Sequence, residues 1–155
     1  MTIWRPAQSI RVKTIGLPWR DGRFLAAEVP DDSGRTKGVR PLGGTVEFGE
    51  TWQQALRREF QEELAVEITI VGAPVVLENI YQHEDQTGHE IIFAAQVTWP
   101  ETPHLAGDTI EFSEDNGQTC IARWFHPDAL VAGRIELFPA RLKTHLQDLG
   151  SPART

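Results

Sequence analysis

The chain has a single cysteine, Cys120, in 155 residues, so no internal disulfide can staple it, and it suits a reducing compartment. No stretch approaches the roughly eighteen apolar residues of a membrane-spanning helix, and Met1 to Ile10 has none of the apolar core of a signal peptide. Membrane insertion and export are thereby disfavoured, and the cytoplasm is the expected compartment. Positive charge is also scarce: 15 Lys and Arg against 22 Asp and Glu leave a net charge of −7, which argues against a surface built to grip a long nucleic acid backbone. Internal repeats, low-complexity runs and linker-like stretches are missing too, so a single domain over residues 1–155 is expected.

What is present is a globular composition, with 40% hydrophobic and 24% charged residues, enough apolar surface to build a core without staples. Acidity remains compatible with a small phosphorylated substrate, because carboxylates recruit divalent cations that carry the compensating charge. Alternation over Ile10 to Ile15 predicts a half-buried strand, and Phe24 to Val29, beyond the turn Gly16 to Gly22, reads as its hairpin partner. The polar run Pro30 to Gly38 reads as a surface loop, and Val39 to Leu42 as a short extended segment. Further strands are expected at Glu67 to Val71, Pro74 to Gln82, Glu90 to Thr98 and around Ile121 to Phe125. The turn His83 to His89 and a long loop, Trp99 to Gln118, separate them.

One helix is well marked. Thr51 and Gln54 stand at the N-cap and N3 spacing of a capping box, and Trp52, Leu56, Phe60 and Leu64 recur every fourth residue as an apolar stripe. Pro127 opens a short helix and Pro139 a terminal one carrying Leu142, Leu146 and Leu149, before a frayed tail at about 150–155. Strands, a lone helix, more strands and a terminal helix lack the regular alternation of a doubly wound fold. The expectation is an α/β fold of the α+β kind, with a mixed β-sheet flanked by helices.

Within the marked helix, Glu59, Glu62 and Glu63 stand at i, i+3 and i+4, so their carboxylates share one side of a single turn. Taken alone, such a cluster is more often a solvated acidic face than a site. The segment before it changes the weighing. Pro41-Leu42-Gly43-Gly44-Thr45-Val46-Glu47-Phe48-Gly49-Glu50 reads as a glycine-bearing loop running into the helix N-terminus, where bare backbone can approach a ligand.

Gly44, five residues, Glu50, seven residues, then Arg58-Glu59-Phe60-Gln61-Glu62-Glu63 resembles the Nudix box. A chance match to its six fixed residues at a given start is on the order of 10⁻⁷. One position departs from the pattern: Ala65 stands where the family usually has glycine as a left-handed helix cap. The words Arg40-Pro41-Leu42-Gly43-Gly44, Glu78-Asn79-Ile80-Tyr81, Gly88-His89-Glu90-Ile91 and Ala122-Arg123-Trp124-Phe125 extend the likeness over roughly residues 9 to 131.

The resemblance implies an α/β/α sandwich and a hydrolase, dependent on Mg²⁺ or alternatively Mn²⁺, that cleaves a diphosphate linkage in a small nucleoside diphosphate-X type substrate. By the family pattern Glu59, Glu62 and Glu63, with the Gly43 carbonyl, are metal ligands. Glu59 or a carboxylate outside the box is the base, with Glu62 a second catalytic candidate. Gly44, Glu50 and Arg58 are supports, and Glu47 is as readily a solvated loop residue. Glu111 or Glu114 is a candidate for the extra carboxylate, Arg40 for a phosphate contact, Trp124 for stacking on a base, and Glu90, His89 and Tyr81 for substrate-facing positions. Alternatives are a house-cleaning nucleoside triphosphate pyrophosphatase, a non-catalytic nucleotide-sensing module, and an isomerase needing a reactive cysteine. A homodimer is also compatible with the resemblance.

Overall fold

The structure, a computed structural model, describes residues 3–102, 105–114, 116–131 and 135–150. Among the described residues nine strands form: β1 (Ile10–Leu17), β2 (Trp19–Arg20), β3 (Arg23–Pro30), β4 (Thr36–Arg40), β5 (Leu42–Thr45), β6 (Ile70–His83), β7 (Gln86–Val97), β8 (Thr109–Ser113) and β9 (Thr119–Phe125). They make two sheets. The first has the order β5-β1-β7-β6, with β1 and β7 parallel and the other neighbours antiparallel. The second has the order β2-β3-β9-β8, with β4 added along β3, and is antiparallel throughout. Helix α1 (Trp52–Leu64), the short α2 (Pro127–Val131) and a 3-10 helix (Ala140–Leu149) complete the fold. Among the described residues no helix is long and apolar enough to cross a membrane.

Two cores follow from the alternation of side chains. Leu56, Phe60 and Leu64 of α1 pack with Leu42, Ala95 and Val97 of the first sheet and Leu25, Ile110 and Ala122 of the second. On the other side, Leu142, Leu146 and Leu149 pack with Ile15, Leu17, Leu77, Ile92 and Ala94. The mixed sheet therefore lies between helices, as its pattern predicted. Gly16 makes room for the Phe60 ring, since a Cβ there would come within 2.9 Å of it.

The sequence reading needs correction in five places. Phe24 to Val29 is not the hairpin partner of β1, because β1 continues through Gly16 to Leu17 and pairs with β5 and β7. The hairpin is β2–β3 instead, closed by Asp21 and Gly22, whose φ of 52° and 79° suit a two-residue turn. Residues 36–38 of the supposed loop belong to β4, and Glu67 to Val71 with Pro74 to Gln82 is largely one long strand, β6, irregular between Val71 and Val75. Its turn into β7 shrinks to Glu84 and Asp85, and the supposed loop from Trp99 holds β8. The predicted frayed tail beyond Gly150 lies outside the described residues.

Candidate active site

Helix α1 begins where its capping chemistry dictates. The Thr51 hydroxyl accepts from the Gln54 N–H at 3.1 Å, and the Gln54 side chain accepts from the Thr51 N–H at 2.9 Å. It ends on Ala65, which adopts the left-handed conformation, φ 56° and ψ 40°, and donates its N–H to the Gln61 carbonyl. The helix end therefore keeps the shape that glycine would give it, at a cost of roughly 1 kcal/mol.

Gly43 and Gly44 prove to lie within strand β5, not in a loop. A Cβ on Gly43 would fall on the backbone of Thr14 and Ile15, and one on Gly44 would fall on the Glu59 carboxylate. The absent side chains thus let β5 close against β1 and let a helix carboxylate rest against a strand. Glu59 is only 7% exposed there. A buried carboxylate needs partners, and Arg58 supplies one, its Nη1 donating to Glu59 Oε1 at 2.8 Å.

Arg58 is the hub of the site. Its Nε and Nη2 clasp both oxygens of Glu50 at 2.7 and 2.9 Å, and Nη2 also donates to the Thr45 carbonyl at 3.0 Å. Nη1 lies 3.4 Å from Glu62 Oε2, one turn onward. The Glu50 hydrogen bonds, then those of Glu59, push the guanidinium further above its already high range. The same clasp, helped by the Glu47 N–H, holds the Glu50 carboxyl below the usual carboxylate range. Glu47 itself is exposed.

Other candidates gather around this turn. The Cys120 thiol donates to Glu114 Oε1 at 3.3 Å, and burial, then the charges of Glu114 and Glu63, push it up to about 12. Such a thiol stays protonated, which removes the reactive cysteine that an isomerase would need. Exposed Arg40, at the end of β4, influences the titration of Cys120, Lys13 and Tyr81. Desolvation first, then repulsion from Arg40 and Arg11, lowers the Lys13 pKa, while Glu90 and Glu59 oppose the change. Lys13, Arg11 and Glu90 share one face of the first sheet, the registers being Lys13 opposite Ile92 and Arg11 opposite Glu90. Lys13 and Arg11 did not figure in the sequence reading; the alternation that puts them on the face of Ile15 was their signal.

Three candidates are not brought to this turn. Trp124 lies four residues along β9 from Cys120, roughly 13 Å at strand rise. Its ring sits under the Arg20 guanidinium at 4.4 Å and edge-on to Trp99, in a cavity of about 650 Å³ lined also by Leu105. Glu111 points away from buried Ile110 and Phe112 and is exposed. His89 projects to the opposite face from Glu90 and meets Glu78 at 3.4 Å.

The donor set suits a hard divalent cation: several carboxylates on adjacent turns, one of them pressed against bare backbone. Arg58 stands among them, so the oxygens of Glu59, Glu62 and Glu63 do not collapse into one tight group. Among the described residues, the one group of three potential ligands within 4.8 Å of one another is Asp32, His83 and Glu84, elsewhere in the fold. Cations of the protein already serve it. Arg5 binds Asp32 in two hydrogen bonds of 3.0 and 2.7 Å, and Lys37 Nζ lies 3.2 Å from His83 Nδ1.

The same fold occurs in solved structures. The E. coli ORF135 protein in solution matches with a TM-score of 0.59 and 24% identity, over 94% of this chain and 93% of that one. A MutT NUDIX hydrolase from Burkholderia pseudomallei matches at 0.52 and 21% identity, over 78% and 86%. The C. elegans Ap4A hydrolase matches at 0.51 and 17% identity, over 89% and 92%. No curated protein matches by sequence. The description NUDIX domain fits residues 12–146, most of the chain and all of the turn built around Arg58, and the chain belongs to the Nudix family of hydrolases.

Proposed function

We propose that the protein hydrolyses a diphosphate linkage in a nucleoside diphosphate-X type substrate, with Mg²⁺, or Mn²⁺, held by Glu59, Glu62, Glu63 and the Gly43 carbonyl. The observation that carries this reading is the Arg58 hub, which fixes Glu50, Glu59 and Glu62 around one helix turn while Gly44 receives the Glu59 carboxylate. The cation, when bound, screens the diphosphate charge and lowers the pKa of a coordinated water. The protein's own contribution is placement. Arg58 and Glu50 hold the carboxylates in register. Lys13, Arg11 and Arg40 bring positive charge to the phosphates from the sheets. Arg58 already clasps Glu59, whereas Glu114 accepts from the Cys120 thiol at 3.3 Å, and Glu114 is our proposed proton acceptor. The substrate is small, and the proposed setting is the cytoplasm.

The test is a product-resolved screen of nucleoside triphosphates, dinucleoside polyphosphates and nucleotide sugars with Mg²⁺. Cleavage within the diphosphate, lost in Glu63→Gln, is the expected result. No turnover, or turnover indifferent to that change, would sink the reading. Pyrophosphate release from triphosphates alone would mark a house-cleaning triphosphatase.

A further inference from the structure

Glu90 is the most isolated buried charge on the sheet face that leads away from the Arg58 hub. It is 8% exposed, and among the described residues its one hydrogen bond is a long one, from Asn79 Nδ2 to Oε1 at 3.4 Å. Among the same residues no cation lies within ion-pair distance: Arg11, its register neighbour, turns instead to the Thr45 hydroxyl at 3.1 Å. A carboxylate offers about four acceptor positions; Asn79 occupies one, and the others are open to the N–H or O–H groups of a ligand. Those oxygens mark a place for donors.

The surroundings say which donors. Asn79 faces Glu90 across β6 and β7, and the next pair along the same face is Tyr81 with Gly88. A Cβ on Gly88 would run into the Tyr81 ring, so the ring lies flat across the neighbouring strand, half-buried. Desolvation and the nearby Glu90 charge raise the Tyr81 hydroxyl to about 12, which keeps the ring neutral. A flat neutral ring beside hydrogen-bonding side chains is the equipment with which proteins stack and read a nucleobase edge. Along the face the order is Lys13, then Arg11 with Glu90 and Asn79, then Tyr81, so a phosphate near Lys13 leaves its nucleoside over the later rows.

We infer that Tyr81, Glu90 and Asn79 form a base-reading subsite for guanine, deepening the diphosphate-hydrolase reading on which it rests. Guanine places N1–H and its 2-amino group side by side, a pair of donors for the two Glu90 oxygens, with O6 next to them for the free amide proton of Asn79. Adenine and cytosine set their amino group beside an acceptor nitrogen. Uracil sets its N–H between two carbonyls, which the carboxylate repels.

The experiment measures, by calorimetry with Mg²⁺, binding of the non-hydrolysable α,β-methylene diphosphates of guanosine, adenosine, cytidine, uridine and 2′-deoxyguanosine to wild type and Glu90→Gln. In wild type both guanine compounds bind best and the uridine compound at least about tenfold weaker. Glu90→Gln brings guanosine to within about threefold of uridine, and melting curves report that the variant is folded. If the variant fails to fold, the wild-type ranking and Tyr81→Leu, which weakens all bases together, decide. Equal affinity for all bases, a preference that survives Glu90→Gln, or discrimination that follows the ribose hydroxyl overturns the subsite, while hydrolysis in the product screen leaves the parent reading standing. Absence of both binding and hydrolysis overturns both.

Discussion

Two arginines of this protein do opposite jobs with the same fork of donors. Arg20 gives its hydrogen bonds to the backbone carbonyls of Ala106 and Gly107, at 3.1 and 3.0 Å, and lays its plane on Trp124. Arg58 gives most of its donors to carboxylates, Glu50, Glu59 and Glu62. The first ties a loop to a sheet. The second holds together negative charges that would otherwise separate. An arginine's partners therefore say more about its role than its burial does, and this pair is comparably shielded, with side chains 26% and 24% exposed.

The largest expected effect attacks the helix turn that carries Arg58. Glu63→Gln lowers turnover by about 10²- to 10³-fold in a Mg²⁺ assay without unfolding the protein, because the proposed ligand set loses one charge. Stripping divalent ions with a chelator gives a comparable loss, and adding Mg²⁺ restores activity. Unchanged turnover in either experiment breaks the comparison.

Next come the arginines themselves. Arg58→Ala lowers activity by about 10- to 100-fold and also lowers the melting temperature, since the buried Glu59 loses its partner. Arg20→Ala costs about 1–2 kcal/mol of stability in denaturant unfolding and leaves kcat/KM alone. Equal effects of the two on activity would erase the distinction.

A subtler expectation concerns pH. Glu50 has a folded pKa depressed by the Arg58 clasp, so its contribution to stability is present above the ordinary glutamate range and is lost as pH falls through the folded value. Acid unfolding below about pH 4.3 is therefore less steep in Glu50→Gln than in wild type. Parallel acid curves would show that the clasp carries no such linkage. Smallest is Ala65→Gly, which relieves a left-handed alanine and stabilises by up to about 1 kcal/mol with no change in kinetics.

What the chain disclosed before its fold was known depended on range. Helix α1 was legible to the residue, because a capping box and a four-residue stripe are local signals, and so were the glutamates it carries. Pairing was not. Nothing near Ile10 to Leu17 says that β1 runs parallel to β7, some eighty residues on, and β2 is only two residues long, too short to show alternation. Strand β8 hid because Ile110 and Phe112 alternate over just five residues flanked by polar ones. The site split along the same line: the Arg58 turn was readable, whereas Lys13, Arg11 and the Glu114–Cys120 contact depend on register and on a second sheet. Trp124 stayed open between core and base stacking for the same reason, since an aromatic in a strand does not say which end of the sandwich it reaches.

The Arg58 hub has a consequence for how the protein lives between substrates. Many small metal-binding domains stay unfolded until their ion arrives, because their ligands repel one another. Here the repulsion is answered by a guanidinium built into the chain, which cannot diffuse away. On the proposed reading, folding does not wait for the ion. A shortage of divalent ions then leaves the protein intact and silent, and activity returns with the ion, with no new synthesis.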